Sequence, residues 1–463
     1  MEGTTYKTIK DVMMKLAYLV EIEIKREVAT ADAKALLMDG WEGAQSTHYL
    51  GVFLRYQVKE GDKFVMKTPL IGLVPHLDET EADTPAHINL VKAMLWLHDL
   101  KLQVADINTV AADNTPLNKK FARECCRPFL GCNSHKLNLA IQALFDAYDP
   151  ILDKVKQIMI LDYLKGQKAR AYLRKYTALA PLFSNAPRWT IKFNMVNRFF
   201  ELYKHVMGDP NLRSKVMAKR LQLVEGEEAT LQSLQSIFRK LHSVMVVLQG
   251  KDITMDTART LFDSALQLVM DSDLWNNDVK KKFEKYVTSD ARKNEYEDPH
   301  FETAVVKVIK QRAGAVVYFS RQEKDTMNKG KWLLEDREEE PKEPSSSRHQ
   351  ARASVESDGG NFAARALKNA AATRLEETLN ARSPYKDPSF LPGTTCLVKR
   401  LFSHAKLIQS DKRQSMDPST LEMIAFLKIN RSYWDIDTVA EAMKPQIQLS
   451  ERIGSEQFDQ RAY

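Results

Sequence analysis

Two aspartates each follow a short apolar run that predicts a β-strand. Asp39 lies in "AKALLMDGW" before Gly40, and Asp113 lies in "VADINTVAADN" before Asn114. Two such strands side by side would hold both carboxylates at one edge of a sheet, close enough to share a divalent metal. Mg²⁺ suits the pair because it takes hard oxygen ligands and needs only one or two carboxylates. Asp-Gly and Asp-Asn are also ordinary turn formers, so a turn role stays open.

A second group is the C-x-x-H spacing of Cys132 and His135, with Cys125 and Cys126 shortly before it. A structural zinc site needs four ligands in tetrahedral geometry. Adjacent cysteines chelate one metal poorly, and no downstream pair completes the set. A buried Cys and His at the start of a helix is therefore favoured over a zinc site.

A third group opens the amphipathic segment "RWTIKFNMVNRFFEL", which begins with Arg188 and Trp189. A tryptophan on such a helix usually belongs to a core or an interface. In an enzyme that acts on DNA, the same ring could stack on an unpaired base. Both interpretations stay open at this point.

The periodicity of apolar residues predicts the elements that position these side chains. In chain order they are a helix over 6–27, strands over 33–41, 46–58 and 64–76, a helix over 84–100, a strand over 104–114 and a helix over 135–148. Nearly everything from 150 to 322 is predicted to be helical. The order indicates an α/β domain followed by an all-α region.

The composition changes abruptly from Lys324 to Asn361, where charged residues, Pro, Ser and Gly dominate. Such a segment buries too little apolar surface to offset its ordering entropy, so we expect a disordered linker. Two helices are predicted after it, over 362–382 and 417–434. The second is apolar almost all round, which requires a partner in either the first domain or a second subunit.

The bulk composition limits the class of protein. The chain of 463 residues has a formal net charge of +7, which weakly favours an acidic partner such as nucleic acid. Its four cysteines give no disulfide framework. No uncharged run reaches the ~20 residues of a membrane span, so we expect a soluble intracellular protein with no membrane partner.

Five segments in this order resemble the hAT superfamily of DNA transposases. They are "LLMDGW…HYLGVFLRY", "ADNTPLNKKFA", "GCNSHKLNLA", "RWT…M…RFFEL" and "KRLFSHAKLIQSDKRQSMDPSTLEMIAFLKINRSYWD". The resemblance covers roughly residues 6–440. It implies a ribonuclease H-like mixed α/β sheet with a large all-α insertion and a C-terminal helical dimerisation segment.

This resemblance implies the following division of the chain. We expect an N-terminal helical segment over 1–30, the first part of the ribonuclease H-like core over 31–189, a helical insertion over 190–323, the linker over 324–361, the completion of the core with the dimerisation region over 362–445, and a tail over 446–463.

The resemblance also implies roles for individual residues. The family cuts DNA with an Asp-Asp-Glu (DDE) triad that holds two metal ions, and Asp39 and Asp113 match its first two acids. Cys132 and His135 match a C-x-x-H element that supports the active site. Nucleic-acid contacts are implied for Arg188, Trp189 and His135. Dimerisation is implied for Phe402, Leu421, Ile424, Phe426, Leu427 and Trp434.

The position of the third acid departs from the family pattern. The family has Ser-Glu-Arg-x-Phe-Ser, and the aligned residues here run from Val398 to Ser403, with Lys399 at the Glu. The exchange changes the local charge by +2. At about 4 Å and an effective dielectric of 20, each added repulsive pair costs about 4 kcal/mol. We therefore expect weak metal binding and no strand cleavage, with Lys399 pairing with Asp39 or Asp113.

The favoured hypothesis is a protein derived from a transposable element that binds DNA and self-associates in the nucleus without nuclease activity. One alternative is an active Mg²⁺-dependent DNA transposase or strand transferase, and a further one is a non-functional remnant. Mg²⁺ is a cofactor only in the active case. Family members begin with a zinc finger, and no cysteine precedes Cys125 to form one.

Overall fold

A six-stranded mixed sheet lies at the centre of the protein in this computed structural model. β1 pairs antiparallel with β2 and parallel with β5, and β5 pairs parallel with β6. β2 also pairs antiparallel with β3 and β4. The α/β class with a mixed sheet is thereby confirmed. The strands are β1 (Lys34–Glu42), β2 (His48–Glu60), β3 (Lys63–Lys67), β4 (Leu70–Pro75), β5 (Thr109–Ala112) and β6 (Phe129–Gly131).

Helices surround this sheet and form most of the remaining chain. No helix in the described part of the chain has both the length and the apolar character that a membrane span needs. The structure describes residues 6–43, 46–61, 63–76, 84–97, 100–160, 167–182, 189–250, 253–290, 299–334, 362–375, 383–409 and 416–444. Its helices are α1 (Tyr6–Thr30), α2 (Thr84–Leu97), α3 (Pro116–Glu124), α4 (Asn133–Asp146), α5 (Asp149–Ile160), α6 (Gln167–Leu173), α7 (Trp189–Gly208), α8 (Pro210–Ala218), α9 (Glu227–Leu248), α10 (Met255–Met270), α11 (Asn277–Val287), α12 (Pro299–Arg312), α13 (Arg321–Lys329), α14 (Phe362–Leu375), α15 (Cys396–Ile408), α16 (Pro418–Ile429) and α17 (Ile436–Ala442).

The predicted third strand, over 64–76, is two strands. β3 and β4 lie against successive parts of the long strand β2, and Pro69 lies between them. Proline has no N–H to donate, which favours a break in the ladder there. Its carbonyl still accepts a hydrogen bond from the Leu54 N–H at 3.2 Å. Periodicity alone did not show this break because both halves are apolar.

The predicted fourth strand, over 104–114, is shorter than expected. A short 3₁₀ turn occupies Val104–Asp106, and only β5 forms strand pairs. The elements α3 and β6 were not predicted at all. β6 has three residues, too few to show a period, and it exists because β5 provides a parallel partner for it.

Within the described residues, two hydrophobic cores organise the chain, and each draws on segments that are distant in sequence. The sheet core includes α1 and also takes in Phe301 of α12 and Trp332 after α13. The helical core takes in Leu137 and Phe145 of α4, and also Ala363 of α14. The N-terminal helix is thus part of the sheet core. The helical core includes residues of α4, whereas α12 contributes to the sheet core. The boundaries of the helical insertion stay a prediction.

The segment after Lys324 differs from the expected disordered linker. Residues up to Lys329 continue α13, which starts with a capping box between Ser320 and Glu323. Met327 and Trp332 are fully buried in the sheet core. The Asn108 side-chain amide donates to the carbonyl oxygens of residues 330 and 331 at 2.9 and 3.1 Å. Burial of these two side chains stabilises an ordered structure here despite the polar composition. The rest of the predicted linker, 335–361, lies outside the described residues.

A buried ion triad joins the two cores. The Lys136 ammonium on α4 lies 2.9 Å from the Glu302 carboxylate on α12, and the Arg259 guanidinium on α10 lies 3.4 Å from it. The three side chains are 1%, 5% and 7% exposed. Burial by itself favours the neutral acid, but the two cations outweigh it and lower the pKa of Glu302. Ionised Glu302 therefore connects three helices from both cores.

Glu302→Gln tests how much this triad contributes to the free energy of unfolding. The variant removes the carboxylate that neutralises two buried cations, so we expect the free energy of unfolding to fall by about 3–5 kcal/mol. Urea unfolding measures the change. The matched control is Glu227→Gln, whose carboxylate pairs with the partly exposed Lys154 at 2.8 Å. That pair should contribute under about 1 kcal/mol. Equal losses in the two variants would contradict a structural role for the triad.

Candidate functional site

The strand register brings Asp39, Asp113 and Cys132 to one level of the sheet. β1 and β5 pair Leu37 with Ala111, so continuing by two residues brings Asp39 beside Asp113. Continuing the register of β5 and β6 in the same way reaches Cys132. Asp113 and Cys132 directly follow β5 and β6, whereas Asp39 lies within β1, which continues to Glu42. Three of the predicted site residues therefore lie side by side towards the carboxyl edge of these parallel strands. Such an edge is a common location for ligand sites in α/β sheets.

Helix α15 packs closely on the sheet beside this edge because Gly51 has no side chain. Gly51 on β2 is the cross-strand partner of Asp39. A Cβ at Gly51 would lie 2.9 Å from Leu401 Cδ2 and 3.1 Å from Phe402 Cε1. The glycine thus allows α15 to approach, and Lys399 in the first turn of that helix comes into electrostatic reach of Asp39.

The Asp39 carboxyl is almost completely buried, with 8% of the residue exposed. Its Oδ1 accepts a hydrogen bond from the Gly40 N–H at 3.0 Å. Burial raises the pKa of Asp39 to about 7, although the charge of Lys399 lowers it, while Asp113 adds to the rise. The carboxyl is therefore close to half protonated at neutral pH.

Lys399 is exposed and acts on its neighbours through space. Among the described residues, no ion pair within 4.0 Å joins its ammonium to a carboxylate. The expected direct pairing with Asp39 or Asp113 is therefore not formed in this conformation. Lys399 nevertheless influences Asp39, Cys132 and His135 electrostatically. Lys399 is therefore close enough to act on these three residues, and its assignment to a third catalytic position stays a prediction.

Asp113 is held by the start of α3. Its Oδ1 accepts hydrogen bonds from Thr115 Oγ1 at 2.9 Å and from the Asn118 side-chain amide at 2.6 Å. Both donors lie in "DNTPLNK", immediately after the aspartate. The two bonds fix the direction of the carboxylate. Sequence reasoning did not identify Thr115 and Asn118 as supporting residues, although an Asx-type turn before Pro116 was a usable signal.

Cys132 and Cys396 form a buried thiol pair under the start of α15. The Thr395 N–H donates to Cys132 Sγ at 3.4 Å, and Cys396 Sγ lies 3.3 Å from Ser134 Oγ. A hydrogen bond to Cys396, together with burial, raises the pKa of Cys132. The same bond lowers the pKa of Cys396 to about 6. Cys396 was not predicted as a site residue because it lies far from Cys132 in the sequence. Its neighbour Thr395 is 263 positions from Cys132.

His135 is half-buried in the first turn of α4. Burial, followed by the charge of Lys399, lowers its pKa, so the imidazole is neutral at pH 7. Cys126 is exposed, whereas Cys132 is buried. Within the described ranges, no group of three or more His, Cys, Asp or Glu side chains is arranged to hold a metal ion.

Trp189 is fully buried in the helical core at the start of α7. Its ring lies 6.3 Å from that of Phe145 and 6.1 Å from that of Phe193, and edge-on to His242 at 6.0 Å. Of the two interpretations left open, this packing favours the core role. Base stacking by Trp189 stays a prediction that requires α7 to move. Arg188 lies outside the described residues.

The predicted dimerisation residues lie mainly against the rest of this chain. Phe402 stacks on Trp41 at 5.8 Å, and α16 packs on β4, α1 and α15. The Asn430 side chain donates to the Leu70 carbonyl and accepts from the Leu70 N–H, both at 2.9 Å. The helix predicted over 417–434 ends at Ile429. Buried members of the set are Phe402, Leu421, Phe426 and Leu427, and half-buried members are Ile424 and Trp434.

The comparisons with known proteins add no relative. No family model matches the chain, and no curated protein matches it. The function must therefore be argued from the residues and their geometry.

Asp39→Asn tests the electrostatics of the buried carboxyl. Because the pKa of Asp39 is raised when folded, the unfolded chain loses this proton first as the pH rises from about 4 to 7, and stability falls over that window. Removing the charge should increase stability at pH 8 by on the order of 2–4 kcal/mol, at about 1.4 kcal/mol per pKa unit. The gain should shrink towards pH 4.

Thermal and urea unfolding across pH 4 to 8 measures this prediction. Asp153→Asn is the matched control, since Asp153 is exposed on α5. Its profile should follow that of the wild type. A pH-independent effect of Asp39→Asn would contradict the raised pKa.

Proposed function

We propose that this chain is a hAT transposase-derived protein that binds DNA and self-associates without cutting DNA. The order of the five resembling segments supports this proposal. Further support comes from the sheet, in which an antiparallel β1–β2 unit is extended by the parallel strands β5 and β6, as a ribonuclease H-like core requires. Nuclear location belongs to the same proposal.

The observation that carries the loss of cleavage is the position of Lys399. It replaces the third acid and acts electrostatically on Asp39, which is itself about half protonated at neutral pH. Metal-binding carboxylates must be ionised, so both features oppose cation binding. Two aspartates alone would suit one Mg²⁺ with phosphate oxygens. With Lys399 beside them, this donor set does not fit a two-metal nuclease centre.

Lys399 offers a different interaction with DNA. Its ammonium group is exposed at the sheet edge, where it can neutralise a backbone phosphate and release a condensed counterion. His135 is neutral and can add a hydrogen bond. The edge then holds DNA by charge and hydrogen bonding.

The alternative of an active Mg²⁺-dependent transposase is favoured by the position of Asp39 beside Asp113 on the adjacent strands β1 and β5. It needs a third acid from elsewhere. The next glutamate after Lys399 in the sequence, Glu422, lies on α16, where its Oε1 accepts from the Leu73 N–H of β4 at 3.4 Å. β4 is separated from β1 by β2, so Glu422 occupies another part of the sheet. The further alternative, a decayed remnant, is disfavoured by two well-packed cores.

A nicking assay with Mg²⁺ or Mn²⁺ tests the proposal directly. We expect no cleavage by the wild type and cleavage by Lys399→Glu, because the variant restores the missing acid. The matched control is Lys406→Glu, which makes the same charge change at an exposed position of α15. Adding Asp39→Asn to Lys399→Glu should abolish the gained activity. Wild-type cleavage that Asp39→Asn removes would show instead that the enzyme is active.

Self-association has support from an open apolar groove of about 490 Å³. It lies between α1, α16 and α17, and the half-buried Ile424 and Trp434 line it together with Val12 and Met13. A second subunit covering this groove would bury the remaining apolar face of α16.

Light scattering tests the self-association. We expect a wild-type mass of at least a dimer, and a monomer mass for Ile424→Asp, since a charge in an apolar contact opposes association. Leu407→Asp is the matched control, because Leu407 is 71% exposed on α15, outside the groove. A monomeric wild type would contradict the proposal.

A further inference from the structure

The net positive charge of this protein comes from one stretch of the sequence. Residues 163–224 contain thirteen Lys and Arg and only two acids, Glu201 and Asp209. The chain has 68 Lys and Arg and 61 Asp and Glu, so the remainder has 55 basic and 59 acidic residues. The whole positive excess therefore lies in this stretch, which whole-chain composition conceals.

The fold brings the described parts of this stretch together. The Tyr176 hydroxyl donates to Asp209 Oδ2 at 3.3 Å, and the Tyr176 ring stacks on His205 at 5.9 Å. These contacts join the end of α6 to the junction of α7 and α8. Arg174 and Lys175 immediately precede Tyr176. Arg213, in the first turn of α8, lies four residues after Asp209 and thus on the same side of the helix.

The two acids of the stretch are already engaged. Asp209 caps α8, accepting from the backbone N–H of Asn211 at 2.9 Å and of Leu212 at 3.1 Å. Glu201 pairs with Arg198 at 2.7 Å. Both carboxylates thus have partners within these helices, and among the described residues neither forms an ion pair within 4.0 Å with Arg174, Lys175 or Arg213.

Three exposed cations lie on these elements. The Lys175 ammonium lies over the Tyr172 ring at 5.0 Å, and Arg174 Nε donates to the Arg170 carbonyl at 3.2 Å. Arg174, Lys175 and Arg213 are exposed, and no carboxylate of the described residues lies within 4.0 Å of their charged groups. Tyr176 between them is 49% exposed. We call Arg174, Lys175, Tyr176 and Arg213 the basic face. It belongs to the helical core and is separate in sequence and in element from the Asp39–Lys399 edge.

We infer that the basic face binds the phosphate backbone of duplex DNA. The inference rests on the proposed function and names a surface that carries it. Clustered Lys and Arg without acidic partners are the electrostatic mark of a nucleic-acid surface. They bind phosphates regardless of base sequence, and each contact releases counterions. The exposed ring of Tyr176 adds a flat surface and a hydroxyl that can contact sugar or phosphate.

The experiment measures binding of the full chain to a labelled mixed-sequence DNA duplex by fluorescence anisotropy over a series of salt concentrations. The test variant is Arg174→Gln/Lys175→Gln/Arg213→Gln. The control variant is Lys281→Gln/Lys282→Gln/Arg321→Gln, which removes the same charge from exposed positions of α11 and α13. Circular dichroism checks that both variants remain folded.

We expect the test variant to bind at least about tenfold more weakly, and the slope of log K against log salt to fall by roughly 2.7, because three phosphate contacts are lost. The control variant should retain the wild-type slope. Equal weakening in both variants would show an effect of net charge and overturn the inference.

Other outcomes separate this inference from the proposed function. If the wild type binds duplex DNA and the test variant binds equally well, the role of the basic face is overturned, whereas DNA binding by the protein stands. A wild type that does not bind duplex DNA would overturn both. Tighter wild-type binding to labelled single-stranded RNA than to the duplex, lost in the test variant, would assign the face to RNA and overturn the choice of DNA.

Discussion

The ionised Glu302 carboxylate, buried between Lys136 and Arg259, is the interaction on which the arrangement of the two cores depends. It joins α4 and α10 to α12, and α12 packs under the sheet. Lys136 directly follows His135, so the same contact fixes the first turn of α4 at the candidate site. A buried triad contributes little net stability compared with an apolar replacement, but it tolerates few alternative arrangements of its three helices.

The candidate site combines a sheet edge that carries a buried carboxyl with a nearby exposed lysine. Asp39 loses hydration because α15 covers it, and Gly51 is what allows that cover. Lys399 on the same helix supplies a positive charge that only partly offsets the cost of burial. At this edge, one carboxyl is buried and close to half protonated at neutral pH, while the second, Asp113, is held by two hydrogen bonds from α3.

Under the proposed function, DNA phosphates contact two positively charged surfaces, which differ in the number of acidic residues nearby. The sheet edge offers one exposed cation, Lys399, beside buried acids, whereas the basic face offers several cations with few acids nearby. Backbone contacts of this kind position DNA without reading its sequence. Both surfaces lose affinity as salt rises. The stretch 163–224, to which the basic face belongs, accounts for the mild excess of positive charge in the whole chain.

The amino-acid sequence by itself determined the strands β1 and β2, most of the helices, and the position of Asp113 directly after a strand, because apolar periodicity and turn residues act over a few neighbouring positions. Asp39 was expected at a strand end, but β1 continues past it to Glu42. The sequence also has Lys399 at the position where the resemblance to hAT transposases implies an acid. Only the tertiary structure decided which core each helix joins, that Trp189 and Trp332 are buried, and that Cys396 lies against Cys132. Those outcomes depend on contacts between distant segments, whose burial and desolvation no local pattern records.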